Sequence, residues 1–451
     1  MLELNELTDL RRFASDLHDG WIGASQNDDD RHLIVFCYTA RTQFAGHWIA
    51  DTTLLARGLV VRLTDAGVSI YDKLHMSWND ASIDDITLMF DDALVVARGM
   101  RKFFTVDAAN SDWGKLKLVD DDEGVTVADD VSIDYNAPAS VADKLDGALG
   151  IGVRVNGDYI IATKGSFRSD ESIEGTVFMR TKHDSRAFAD FMDKNLPGFT
   201  PLFEIITPGD FHVVQYGKLA DIVFLGLLEN ATGWWIPAAL LGVDERTADR
   251  NAALIPGKFG FITPEIYSAR TLGEALQLPA IANHEGMVAT LDGTAKQDMF
   301  KIKYPLFLML QRLKNSTSDK ALREFISNMN TDEIMHGNVN GLADMVPADA
   351  REAAKPILTR LNQRANDIYL HDMRDAVNTA INEFNKVKNT IDFTDRDSLR
   401  DYAMIVNSMN TSAEIKGIMF ALKAGVIRGD DNELETAVKA AKRIILNIKS
   451  L

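Results

Sequence analysis

The hydrophobic pattern of this chain changes its period once, close to Tyr304, and that change limits the folds open to it. Before Tyr304, short apolar and β-branched runs are separated by turn signals. H-L-I-V-F-C-Y (32–38), R-G-L-V-V-R-L (57–63), G-V-S-I-Y (67–71) and G-V-R-V-N-G-D-Y-I-I-A-T-K (152–164) all read as strands. Asn156-Gly157 inside the last run predicts a two-residue hairpin. A helix is expected over 183–195, with Phe188, Phe191 and Met192 on one face. E-I-I-T-P, A-D-I-V-F-L-G-L-L and the stretch from Met287 to Tyr304 add further strands, the last folded around a turn.

After Tyr304 the apolar residues fall at helical spacing. Leu358, Leu361, Ala365 and Ile368 form one such series, and Met373, Val377, Ile381 and Phe384 the next. Thr411 with Glu414 reads as a capping box, and Gly425 and Gly429 as helix stops. The pattern predicts an α+β domain of mainly antiparallel sheets over 1–315, then an all-α domain over 316–451, with the boundary inside 305–318.

A chain of 451 residues suits two or three domains. Its single cysteine, Cys37, excludes an internal disulfide and a Cys-rich zinc site. No apolar run approaches the ~20 residues that span a bilayer. The acidic, amphipathic N-terminus fits neither a secretory signal nor a transit peptide. A cytoplasmic protein with no membrane partner is expected. Net charge is −18, which opposes polyphosphate binding unless cations gather in a local cleft. Much of the acid lies in loop-like runs at 28–30, 84–85 and 120–123.

Chemistry enters at K-L-D-G (144–147). A K-x-D-G string arises by chance about 0.1 times in a chain of this length, so an isolated match is usually a solvated hairpin lysine. The residues around it alter that reading. A lysine amine attacks an α-phosphorus only when deprotonated, which requires burial or neighbouring cations. The phosphates need cations of their own, and magnesium needs oxygen ligands. The chain supplies such groups in order: Arg57-Gly58 before a strand, Lys102 before Phe103-Phe104, then Lys144 itself. Lys164-Gly165-Ser166 follows the hairpin, and Glu204 and Glu285 lie among apolar residues. Lys301 and Lys303 stand two apart, on one face of a strand. Taken singly, each has a bland reading: edge-strand lysines, salt-bridged carboxylates, core phenylalanines. Only the joint order favours a site.

These elements resemble the ATP-dependent RNA ligases of the RNA ligase 1 type found in tailed phages, members of the covalent nucleotidyltransferases. K-x-D-G, R-G, K-F-F, K-G-S, F-E-I-I-T-P (203–208), E-G-M-V-A (285–289) and F-K-I-K (300–303) match family elements over most of residues 30–305. The chain departs at Arg98-Gly99-Met100-Arg101, where the family tends to have Arg-Pro, and in long loops at 110–135 and 232–262. DNA ligases and capping enzymes usually continue into an oligonucleotide-binding barrel. The helical continuation here resembles RNA ligase 1 instead.

The resemblance implies ATP as AMP donor, Mg2+, and an RNA substrate with 5′-phosphate and 3′-hydroxyl ends, such as a tRNA broken in its anticodon loop. It implies Lys144 as nucleophile, with Lys301 and Lys303 at the α-phosphate and Arg57 and Lys102 at the β- and γ-phosphates. Lys164 would add positive field. Phe104, Asp146 and Gly147 would complete the nucleotide contacts, and the segment 222–225 would line the adenine. Glu204 and Glu285 would hold metal or ribose. A DNA ligase, a capping-type nucleotidyltransferase, a non-catalytic RNA-binding relative and a protein unrelated to nucleotides are the alternatives.

Overall fold

The computed structural model describes residues 2–107, 111, 115–120, 126–207, 212–291, 297–315, 319–337, 346 and 351–446. Pro208 of the F-E-I-I-T-P stretch, 121–123 of the acidic run, the turn at 292–296 and 316–318 of the boundary region lie outside the described residues. The chain divides into two compact units, Met1–Phe307 and Leu308–Leu451. The division falls inside the helix Pro305–Asn315, eight residues before the change placed at 315 by the sequence pattern.

The first unit is α+β and its sheets are almost wholly antiparallel. One sheet runs in the order β1 (Ile22–Gln26), β2 (Leu33–Tyr38), β3 (Leu59–Arg62), β4 (Leu94–Ala97). A second contains β5 (Phe104–Val106), β6 (Lys115–Val119), β7 (Thr126–Ser132), β8 (Ala139–Lys144), β14 (Gly286–Leu291) and β15 (Met299–Lys303). Its order is β7-β6-β5-β15-β14-β8, and β15–β5 is its parallel pair. The third holds β9 (Ala148–Val155), β10 (Asp158–Ala162), β11 (Phe199–Ile206), β12 (Asp221–Glu229) and β13 (Trp235–Pro237), in the order β10-β9-β11-β12-β13.

Period-two alternation explains the layering. Along β2, Ile34 and Phe36 enter a core with Phe13, Leu17 and Phe90, while Leu33 and Val35 enter another with Ile151, Val153 and Leu202 of the third sheet. The third sheet's other face packs under the helices Asp170–Lys182 and Ser185–Asn195, burying Met179, Phe188, Phe203 and Phe224. Asn156 and Gly157 both take positive φ, 48° and 85°, as a type I′ hairpin turn requires, and β10 folds back on β9.

Five local expectations fail. The acidic pair Asp84-Asp85 lies in the helix Ile83–Leu88, where the Ser82 hydroxyl accepts the Asp85 N–H, and not in a loop. G-V-S-I-Y lies within a helix, Asp65–Leu74, not a strand. The Thr64 hydroxyl accepts the Gly67 N–H at 3.1 Å, and Val68 and Tyr71 are buried at spacing three, so a cap and a helical face override the two-residue alternation. Ser412, not Thr411, caps the helix Ala413–Arg428 by accepting the Ile415 N–H, so there is no Thr411/Glu414 box. Gly425 lies inside that helix, where a Cβ would stand 3.2 Å from Thr436, and only Gly429 (φ 82°) terminates it. Ile368 is exposed because the π-helical turn Asn366–Leu370 rotates the apolar face onto Tyr369 and Leu370.

Every secondary-structure element among the second unit's described residues is helical, from the end of Pro305–Asn315 to Glu433–Ile445. None of the described helices is long and apolar enough to cross a membrane.

Candidate active site

Strand pairing brings Lys144, Glu285 and Lys303 together although 141 residues separate Lys144 from Glu285 in sequence. Gly286 is the register partner of Lys144 on β8 and also of Lys303 on β15. Glu285 precedes that shared position. Its Oε2 lies 2.9 Å from Lys144 Nζ and its Oε1 3.0 Å from Lys303 Nζ. Glu285 is 3% exposed. Glycine at 286 is required twice over: φ is 151°, and a Cβ would come 2.1 Å from the Ile302 carbonyl.

Two residues along, Lys301 is registered with Val288, and Val288 with Ala142. By strand alternation these share the face that carries Lys144. That face forms one wall of a cavity of about 180 Å³, which Lys144, Lys301 and Val288 line. The opposite wall comes from the third sheet, through Leu149, Glu204, Leu225 and Trp235, and Arg57, Phe103 and Asp143 are also among the lining residues. The Lys301 ammonium lies 5.3 Å from the Phe103 ring centroid, and Arg57 Nη1 donates to the Met100 carbonyl at 3.0 Å.

The turn after Lys144 is fastened on both sides. The Gly147 N–H donates to Glu204 Oε1 at 2.9 Å, and a Cβ at 147 would meet the Ile205 carbonyl at 2.6 Å. The Asp146 carboxylate accepts the N–H groups of Val213 (2.6 Å) and Val214 (3.0 Å), and the Asp146 N–H donates to the Tyr216 hydroxyl. Asp146 thus faces the 213–216 loop. Burial pushes the Glu204 carboxyl up to about 7; Glu285 and Asp146 push the same way, against the opposing pull of Lys144 and the Gly147 N–H.

Lys102, Phe104 and Lys164 form a separate group around Tyr38. Lys102 is buried, with its ammonium 2.7 Å from Asp120, 4.8 Å from the Trp48 ring and 5.1 Å from the Tyr38 ring. Phe104 lies 5.9 Å from the same ammonium, and the exposed Lys164 is 5.7 Å from Tyr38. Burial raises the pKa of the adjacent Cys37 thiol, while Lys164, Arg57 and Lys102 pull it down. Of the segment 222–225, Leu225 borders the cavity, whereas Ile222 and Phe224 sit in the core beneath the helices.

Sequence reasoning passed over three features. The tripeptide A-R-G occurs at 56–58 and 97–99, too short to count as a repeat, yet its two glycines meet: the Gly99 N–H donates to the Gly58 carbonyl at 2.9 Å, which brings Arg57 and Met100 together. Arg98 is fully enclosed, with Nη1 donating to the Asn230 carbonyl, and burial brings its pKa down to about 10. Asp143 and His284, the residues just before Lys144 and Glu285, are 2.9 Å apart. Their adjacency to the motif residues was a visible signal.

For a divalent cation, Glu204 is the fitting donor, because its half-buried carboxyl lines the cavity opposite Lys144 and only its Oε1 takes the Gly147 N–H. Glu285 already gives each oxygen to an ammonium. No group of three or more His, Cys, Asp or Glu suited to a metal exists among the described residues.

No protein-family model matches the sequence, and no curated protein matches it. Solved structures do. An archaeal ATP-dependent RNA ligase is 12% identical, with a TM-score of 0.42, over 77% of this chain and 76% of its own. A putative ATP-dependent DNA ligase from Aquifex aeolicus is 10% identical, with a TM-score of 0.35, over 82% and 79%. A lysine-to-alanine variant of Naegleria gruberi RNA ligase, solved with ATP and Mn, is 11% identical, with a TM-score of 0.31, over 64% and 97%.

Proposed function

We propose that this chain is an ATP-dependent RNA ligase that joins 5′-phosphate and 3′-hydroxyl ends through a lysyl-AMP at Lys144. One observation carries the reading: Lys144 reaches the cavity beside Lys301, Arg57 and Glu204 while sharing Glu285 with Lys303. That arrangement gathers Lys144, Lys301 and Lys303 on one sheet face of a chain whose net charge is −18.

In the first step Lys144 Nζ bonds to the α-phosphorus of ATP, the bond to pyrophosphate breaks, and the amine proton passes to solvent. The Lys144 and Lys303 ammonium groups both contact the carboxylate of Glu285, which sets two cations beside the place where the phosphate would react. Lys301 and Lys303 would offset charge on the α-phosphate. Arg57, on the cavity lining, would hold the departing pyrophosphate, while Lys164 and the Asp120-paired Lys102 would add positive field from outside it. Next, a 5′-phosphate oxygen of the RNA displaces lysine from the adenylate. Finally the RNA 3′-oxygen attacks that phosphate and AMP leaves. Glu204 would hold Mg2+, which supplies charge neutralisation on the phosphates. Leu225 and Trp235 offer the base an apolar wall, and Asp146, Gly147 and Phe104 would act by holding the turn and the Tyr38 group in place.

The resemblance to RNA ligase 1, whose chain likewise continues into helices, favours RNA, including tRNA broken in the anticodon loop, as the substrate in a repair role. The test is direct. The protein is incubated with α-labelled ATP and Mg2+, then chased with 5′-phosphorylated RNA or nicked DNA. Covalent AMP absent from Lys144→Ala and a chase into RNA are expected. Label that persists on Lys144→Ala overturns the assignment, and a chase into nicked DNA alone replaces RNA with DNA as substrate.

A further inference from the structure

A second set of contacts accompanies the Lys144–Glu285–Lys303 triad one residue away. Asp143 Oδ1 accepts the Tyr267 hydroxyl at 3.0 Å and lies 2.9 Å from His284 Nδ1. Asp143 precedes Lys144 and His284 precedes Glu285. The dipeptides 143–144 and 284–285 are therefore joined by two parallel side-chain links, Asp143 to His284 and Lys144 to Glu285. Tyr304, which follows Lys303, lies beside Tyr267 and donates its N–H to the Glu285 carbonyl at 3.0 Å.

Tyr267 belongs to a segment that covers the outer edge of β8. Its N–H donates to the Val141 carbonyl at 2.9 Å, and the Asp143 N–H donates to the Glu265 carbonyl at 2.8 Å. β8 ends at Lys144 and β14 begins at Gly286, so pairing stops where the chemistry is placed. Strand ends fray when side chains do not hold them.

We propose that Asp143, His284 and Tyr267 act as a positioning clamp that fixes the ends of β8 and β14 and so holds Lys144 Nζ on Glu285 at the cavity. His284 Nδ1 gives Asp143 one hydrogen bond and the Tyr267 hydroxyl gives it another, which keeps a carboxylate with 9% side-chain exposure satisfied. Asp143 borders the cavity beside Lys144, whereas His284 and Tyr267 lie outside its lining and need not touch the substrate. The kinetic consequence rests on the ligase reading; the structural one does not.

The test uses the full chain with His284→Ala, His284→Asn and Tyr267→Phe. Asparagine places an amide N–H where His Nδ1 stands, so it restores the bond that alanine removes. Trace acetylation by acetic anhydride, read at Lys144 by mass spectrometry, should rise about fivefold to tenfold in His284→Ala as the amine leaves its carboxylate. It should stay within about twofold of wild type in His284→Asn. Single-turnover formation of covalent AMP at saturating ATP should fall about tenfold or more in His284→Ala with little change in KM for ATP, because position and not binding is lost. Should His284→Ala not fold, Tyr267→Phe removes one hydroxyl and is expected to shift both readouts the same way by less. Equal behaviour of His284→Asn and His284→Ala, or Lys144 acetylation unchanged in all three, overturns the clamp. A wild type that forms no covalent AMP while the acetylation pattern holds overturns the ligase reading and leaves the clamp standing.

Discussion

Lys144 and Lys303 share one carboxylate, Glu285, at 2.9 Å and 3.0 Å. The Lys303 and Glu285 side chains are 3% and 4% exposed, and the Lys144 side chain 20%, so the three charges act with little help from water. Removing the anion leaves two ammonium groups close together. Glu285→Gln is expected to lower unfolding free energy by about 3 kcal/mol, the cost of breaking a buried ion pair. Urea denaturation at neutral pH measures it, and an unchanged midpoint would show that the two lysines are held by other groups.

Lys144 and Lys303 are expected to separate by step. Lys144→Ala should form no covalent AMP yet still seal RNA supplied with its 5′ end already adenylated. Lys303→Ala should lose that sealing by about 10²-fold, since a cation at the transferring phosphate is removed. Wild-type sealing of adenylated RNA by Lys303→Ala would take Lys303 out of the reacting set.

Gly286→Ala probes the same place through the backbone. The new Cβ would stand 2.1 Å from the Ile302 carbonyl, at a φ of 151°. Either β14 and β15 part or the residue is strained, and the expected cost is about 2 kcal/mol or more. A thermal midpoint equal to that of wild type would mean that the strands adjust freely.

The sequence pattern revealed the two-part architecture because period two and period 3.6 are local properties. It also supplied Lys144, Glu285, Lys301 and Lys303 as candidates. The turn that pairs β14 with β15 was legible, but the pairing of Lys144 with Gly286 was not, since that register joins residues more than a hundred positions apart. The misreading of G-V-S-I-Y had a local cause: Val68 and Ile70 alternate like a strand, and only the cap at Thr64 and burial of Tyr71 decide for helix. Lys102 shows the limit for sites. Its neighbours Phe103-Phe104 were visible, but the partner Asp120 and the rings of Tyr38 and Trp48 come from elsewhere in the chain.

Glu204 carries the pH prediction. Burial raises its carboxyl from 4.5 to about 7, so the native chain holds that proton more tightly than the unfolded chain does. The associated stability is fully present below about pH 4.5 and is lost as pH rises through about 7. Glu204→Gln keeps an oxygen for the Gly147 N–H and has no proton to lose. Wild type should therefore decline against this variant across that window, by at most about 3 kcal/mol. A divalent cation on Glu204 opposes the decline, so Mg2+ at pH 8 should raise the denaturation midpoint of wild type and leave that of Glu204→Gln in place. Parallel pH curves for the two proteins would mean that Glu204 is already ionised at acidic pH in the folded chain, with its charge offset by Lys144 rather than reserved for a metal.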